Sequence, residues 1–127
     1  SYSWPEFQAK LKNKKGQLWS FAWSGDYPDA ENFLQLFYSK NASPGPNDSN
    51  DNNPEYDLLY EQLLQLQAGP KRTQIYKKMV ALLIEDCPWI FQVHRVTYGL
   101  VQPWLKNYKL HDFERNRAKY YRIDKHP

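Results

Sequence analysis

Three carboxylates crowd the stretch Asp26-Tyr27-Pro28-Asp29-Ala30-Glu31. Paired carboxylates are the machinery of glycoside hydrolysis, one protonating the leaving oxygen and the other working from the far side of the bond. Crowded on one turn, these three are poorly placed to flank a sugar. Asp29 and Glu31 read more simply as charges that favour the start of a following helix. Asp26 differs by position. It follows Trp23 by three residues, just past an aromatic run, on a loop of the kind that carries ligands at strand ends in α/β sheets. A carboxylate beside an indole suits a ligand ammonium, through a charge-assisted hydrogen bond and a cation–π contact. The plain alternative is a solvated loop aspartate. Little else invites chemistry. Cys87, the only cysteine, stands between a helix end and Pro88 and reads as a small buried thiol. His94, His111 and His126 lack metal-ligand spacing. There is no G-x-S-x-G elbow and no glycine-rich phosphate loop.

The elements that must position Trp23 and Asp26 are legible on either side. Ser3-Trp4-Pro5-Glu6 has the form of a capping box with proline in the first turn. It predicts a short helix with Trp4, Phe7 and Leu11 on one side, ending near Gly16. Gln17 to Trp23 alternates as a strand, with Trp19, Phe21 and Trp23 on one face. A short helix is expected over about 30–38. Residues 41–53 form an irregular loop rich in Asn, Asp, Ser and Pro, long enough to be mobile or functional. Asn53-Pro54 starts a helix with Tyr56, Leu59, Tyr60 and Leu63 as its apolar stripe, closed by Gly69-Pro70. Another helix carries Ile75, Tyr76, Met79, Leu82 and Leu83 and must stop before Cys87-Pro88. Short β segments are expected at about 89–93, 98–102 and 119–123. The order is that of an α/β unit lacking its first strands. That order and the absence of an initiator Met lead to the expectation of an excised segment.

At 127 residues the chain is one domain or a piece of one. An aromatic content of 17% argues against disorder. No run approaches the ~18 apolar residues a membrane-spanning helix needs. The net charge of +3 is uneven: residues 26–61 hold eight carboxylates against Lys40 alone, and the flanking stretches are basic. The basic residues alternate with apolar ones, as on solvated faces, so no nucleic-acid partner is expected.

Four runs, in order along the chain, resemble one family. Residues 18–34 are similar to its W-x-x-D-Y-P-D-x-x-N-F signature, here Trp23, Asp26, Tyr27, Pro28, Asp29, Asn32 and Phe33. Asn53-Pro54-Glu55-Tyr56-Asp57 resembles a characteristic helix start. Arg72 to Pro88 resembles an R-x-x-x-Y helix ending in an acidic residue and a proline. Residues 98–104, Tyr-Gly-Leu-Val-Gln-Pro-Trp, resemble a stretch near the C-terminus. The family is that of the solute-binding proteins of peptide ABC importers, the dipeptide/oligopeptide-binding family.

The resemblance implies a two-lobed protein of roughly 500 residues, with residues 1–127 forming the C-terminal part of one lobe. The fold is then α/β, with helices packed on a small mixed sheet. It implies a peptide ligand with its α-ammonium on Asp26, Trp23 alongside it, and backbone groups of Ala22 and Ser24 pairing with its main chain. Ligand side chains would enter roomy, wet pockets. Some tripeptide-binding relatives carry an arginine three residues before the tryptophan; Ser20 stands there, so carboxylate recognition must come from elsewhere or be absent. Arg95 is near a position that can face the ligand, or is a solvated strand residue. The implied partners are a membrane permease and the remaining lobe, in the periplasm or, as a lipoprotein, at the cell surface. No catalytic residue or cofactor is called for. Excision would expose the apolar wall around Trp19 and Trp23, so the fragment is expected to self-associate. Two alternatives stand beside this reading: the same family with an oligosaccharide, nickel complex or haem as ligand, and a small hydrolase built on Asp26, Asp29 and Glu31.

Overall fold

A computed structural model describes residues 2–113 and 116–124; His126 lies outside them. Helix α1 spans Trp4–Lys12 and begins as its sequence dictates. The Glu6 carboxylate accepts the Ser3 amide at 2.9 Å and the Ser3 hydroxyl at 2.7 Å, holding the first turn. Helix α2, Glu31–Leu34, runs into a 3₁₀ turn at Gln35–Phe37, and a second such turn covers Ser39–Asn41. Helix α3, Pro54–Leu64, is capped by Asn53, whose Oδ1 accepts the amides of Glu55 at 2.9 Å and Tyr56 at 3.1 Å. Helix α4, Pro70–Asp86, ends where Cys87 turns left-handed at φ 47° ahead of Pro88.

The core lies between α2, its 3₁₀ extension, α3 and α4. Leu36, Tyr56, Leu63 and Met79 are almost wholly buried there, with Phe37 edge-on to Tyr56 and Tyr38 stacked on Tyr60 at 4.5 Å. The apolar stripes expected on α3 and α4 are therefore the core stripes. Polar tips on these rings find partners: the Tyr56 hydroxyl donates to the Leu34 carbonyl at 2.7 Å. Asp57 anchors the chain ahead of α3 by accepting the Ser39 amide at 3.0 Å and the Ser39 hydroxyl.

The sheet differs from expectation. Among the described residues it consists of β1, Leu105–Lys106, and β2, Arg122–Ile123, paired antiparallel with Leu105 opposite Ile123. It is not mixed, and the helices pack on one another. Residues 17–23, 89–93 and 98–102 form no strand. Alternation specifies which faces want burial, but a strand exists only when a neighbour supplies the other half of its hydrogen-bond ladder. In the last two segments Ile90, Val93, Tyr98 and Leu100 are exposed. The final β candidate, about 119–123, is divided between a 3₁₀ turn at Arg117–Tyr120 and β2. Cys87 is exposed, contrary to the buried-thiol reading, because the left-handed turn ending α4 points it out of the core.

The loop 41–53 is built around one residue. Asn47 is 0% exposed and donates to the carbonyls of Tyr38 at 3.1 Å and Asp51 at 3.0 Å. Its side-chain oxygen accepts the Asp51 amide at 3.2 Å and the Ser49 hydroxyl at 2.9 Å. Lys12 of α1 reaches across to Asp48 at 2.6 Å and the Gly45 carbonyl at 2.7 Å.

Candidate functional site

The loop 23–30 is wound around the side chain of Asn32 in α2, which is 1% exposed. Asn32 Oδ1 accepts the Trp23 indole N–H at 3.0 Å and the Asp26 backbone N–H at 3.0 Å. Trp23 and Asp26 are thus joined through a single oxygen. Trp23 packs partly against the core, and Asp26 is exposed.

The other two carboxylates of the loop serve the scaffold. Asp29 accepts the Glu31 amide at 2.8 Å, the Tyr76 hydroxyl at 2.6 Å and the Arg72 guanidinium at 3.1 Å. Burial alone would raise the Asp29 carboxyl, but the bonds from Tyr76, Glu31 and Arg72 hold it below its ordinary range. Arg72 also donates to the carbonyls of Leu63 and Leu66, each at 2.7 Å, and to the Tyr76 hydroxyl. One side chain thereby closes the end of α3 and fixes the loop before α2. Glu31 accepts hydroxyls from Tyr27 and Tyr60, and burial and then that bond push the Tyr60 phenol up. An Asp29 held ionised by three donors is a poor proton donor, which weighs against the hydrolase alternative.

A cleft of about 350 Å³ opens beside the loop. Ala22 and Trp23 form part of it, together with Trp4, Leu11 and Phe21 on one side and Pro44, Gly45 and Pro46 on the other. The Lys12–Asp48 ion pair belongs to its lining. Ser24 is exposed between Trp23 and Asp26. Arg95 is exposed on the irregular run after α4 and joins neither the Asn32 bonds nor the Asp29 cluster. Among the described residues no group of three His, Cys, Asp or Glu side chains could hold a metal ion. No helix there is long and apolar enough to cross a membrane.

Sequence reasoning had Asn32 in hand as a signature residue without a role. The available signal is an amide side chain next to the apolar pair Phe33-Leu34 in a short helix, since a polar group buried there needs partners. Arg72 and Tyr76 were likewise visible as a spacing, with no indication that both reach Asp29.

Comparison with known proteins gives relatives of one kind over most of the chain. No family model matches the chain, and no solved structure matches it. It is 34% identical over 85 residues to the oligopeptide-binding protein OppA of Bacillus subtilis, covering 67% of this chain and 15% of that protein. It is 33% identical over 94 residues to the periplasmic murein peptide-binding protein MppA of Escherichia coli, 73% of this chain and 17% of that protein. Heme-binding protein A of Haemophilus influenzae is 28% identical over 108 residues, 85% of this chain and 20% of that protein. The chain is homologous, over most of its length, to the dipeptide- and oligopeptide-binding family of solute-binding proteins. It spans about a fifth of the length of the curated relatives it matches.

Proposed function

We propose that this chain is the C-terminal part of one lobe of a peptide-binding protein that serves an ABC importer. It contributes one wall of a site that closes over the ligand and performs no catalysis. The observation that carries the reading is the Trp23–Asn32–Asp26 cluster, which ties an indole N–H and the main chain of an exposed aspartate to one buried oxygen, in a chain homologous to peptide-binding proteins. The Asp26 carboxylate takes the peptide α-ammonium, with Trp23 alongside. Backbone groups of Ala22 and Ser24 pair with the peptide main chain, which gives affinity without reading side chains. The cleft beside Ala22 and Trp23 receives a ligand side chain, and Arg95 serves a ligand carboxylate. Hinge closure of two lobes around the peptide produces the form that the permease recognises. The protein works in the periplasm or at the cell surface as a lipoprotein.

A single wall binds weakly, so the isolated chain has little peptide affinity. Self-association through the apolar wall around Trp19 and Trp23, both half-buried here, is favoured instead, and the exposed Ile90, Phe91, Val93 and Leu100 extend that surface. Light scattering that found the full-length protein equally associated would remove excision as the cause.

The relation to a haem-binding protein supports a second reading, in which the ligand is haem. Haem carries carboxylates and no ammonium, so it would use Arg95 and leave Asp26 idle. Titrating the full-length protein with a mixed di- to pentapeptide library and, separately, with haem distinguishes the two. Saturable peptide binding without haem uptake supports the first reading; the reverse supports the second.

A further inference from the structure

We infer that Asn32 is a positioning residue of the ligand site, aligning the Trp23 ring and the Asp26 backbone for a ligand ammonium. The inference rests on the peptide reading and goes beyond it, to a buried side chain that touches no ligand.

Asn32 is 1% exposed, so its amide must find all its partners inside the protein. A carbonyl-type oxygen has two acceptor positions. Both are taken, and by donors from the two residues that matter: the Trp23 indole N–H and the Asp26 main-chain N–H, each at 3.0 Å. The consequences differ for the two. A tryptophan ring can swing about two side-chain torsions; its N–H held on a buried acceptor and its body packed against the core restrict that swing. For Asp26 the bond fixes the main chain, so the carboxylate starts from a set Cα rather than from a loose turn. Asn32 itself is seated rigidly, on a helix whose start is tied through Asp29 to Arg72 and Tyr76. Ordering the loop in advance removes an entropy cost that ligand would otherwise meet on binding.

A merely structural asparagine would lower stability and leave ligand discrimination alone. The readout is therefore the ratio of affinities for a free-amine tripeptide and its N-acetylated counterpart, measured by calorimetry on the full-length protein. In the wild type the free amine is favoured. Asn32→Ala removes the shared acceptor and reduces that preference by roughly tenfold, whereas Asn32→Gln, which keeps a neutral amide acceptor and adds no charge, restores part of it. If Asn32→Ala fails to fold, the glutamine variant alone decides. Its retained preference supports the role, and its lost preference in a folded protein overturns it. An unchanged ratio in folded Asn32→Ala, with only a lower Tm, makes Asn32 structural and leaves the peptide reading intact. A wild type with no free-amine preference removes the ammonium anchor, and this role with it.

Discussion

The Arg72 guanidinium lies 3.1 Å from the Asp29 carboxylate across 43 residues of sequence, and the same group takes the carbonyls of Leu63, in the last turn of α3, and of Leu66 just beyond it. The pair ties the loop that carries Trp23 and Asp26 to α4. Arg72→Met should leave Asp29 and two helix-end carbonyls short of a donor, at a cost of about 2–3 kcal/mol. Denaturant unfolding checks this as a lowered midpoint with an unchanged slope. Arg72→Lys should recover little of it, since one ammonium cannot reproduce the planar fork.

Asp29 also predicts an acid limit. Its carboxyl titrates below the ordinary value in the fold, against about 3.9 in an unfolded chain. The stabilisation is therefore complete above that unfolded value and is lost as pH falls through the lower folded one. Stability followed from pH 6 to pH 2 should drop below about pH 4. Asp29→Asn should be less stable at neutral pH and flatter through the acid window.

Asp51 works in the opposite direction. Among the described residues its Oδ2 is buried without a hydrogen-bond partner, and burial, then the charges of Asp86 and Asp57, raise its pKa. A raised acid disfavours the folded state once ionised, so neutralising it helps at pH 7 and loses its effect in acid. Asp51→Asn should raise Tm by roughly 2–5 °C at pH 7. A lower Tm would show that the carboxylate has a partner it needs.

Gly45 is fixed by close approach. A Cβ there would lie 2.3 Å from the Asn41 carbonyl oxygen, which already accepts the Asn47 amide at 2.8 Å. Gly45→Ala must displace backbone and should cost about 1–3 kcal/mol. Hydrogen exchange at the Asn47 amide should accelerate with it. Unchanged protection would mean that the turn relaxes without loosening the loop.

What was legible follows from the range of the interactions. Ser3 with Glu6 and Asn53 with Tyr56 satisfy backbone groups within one turn, so their sequence spacing was enough. The stripes of α3 and α4 were readable because burial repeats with the helix. The strands were not, since nothing in Trp19-Ser20-Phe21 names the chain that must lie alongside. The two organising asparagines were hidden for another reason. Asn47 sits in a stretch whose composition reads as irregular, and only its burial reveals that it holds the turn together. Asn32 and Arg72 were present as motif letters; their joint support of Trp23, Asp26 and Asp29 depends on contacts that spacing does not encode.

The central claim, a free-amine peptide held on Asp26, is tested most directly by titrating one tripeptide into the full-length protein and its Asp26→Ala variant. A charge-assisted bond to the ammonium is worth about 1.5–3 kcal/mol, so the variant should bind roughly 10–100-fold more weakly, with the N-acetylated peptide losing no further affinity. Equal affinity in the two proteins would contradict the anchor.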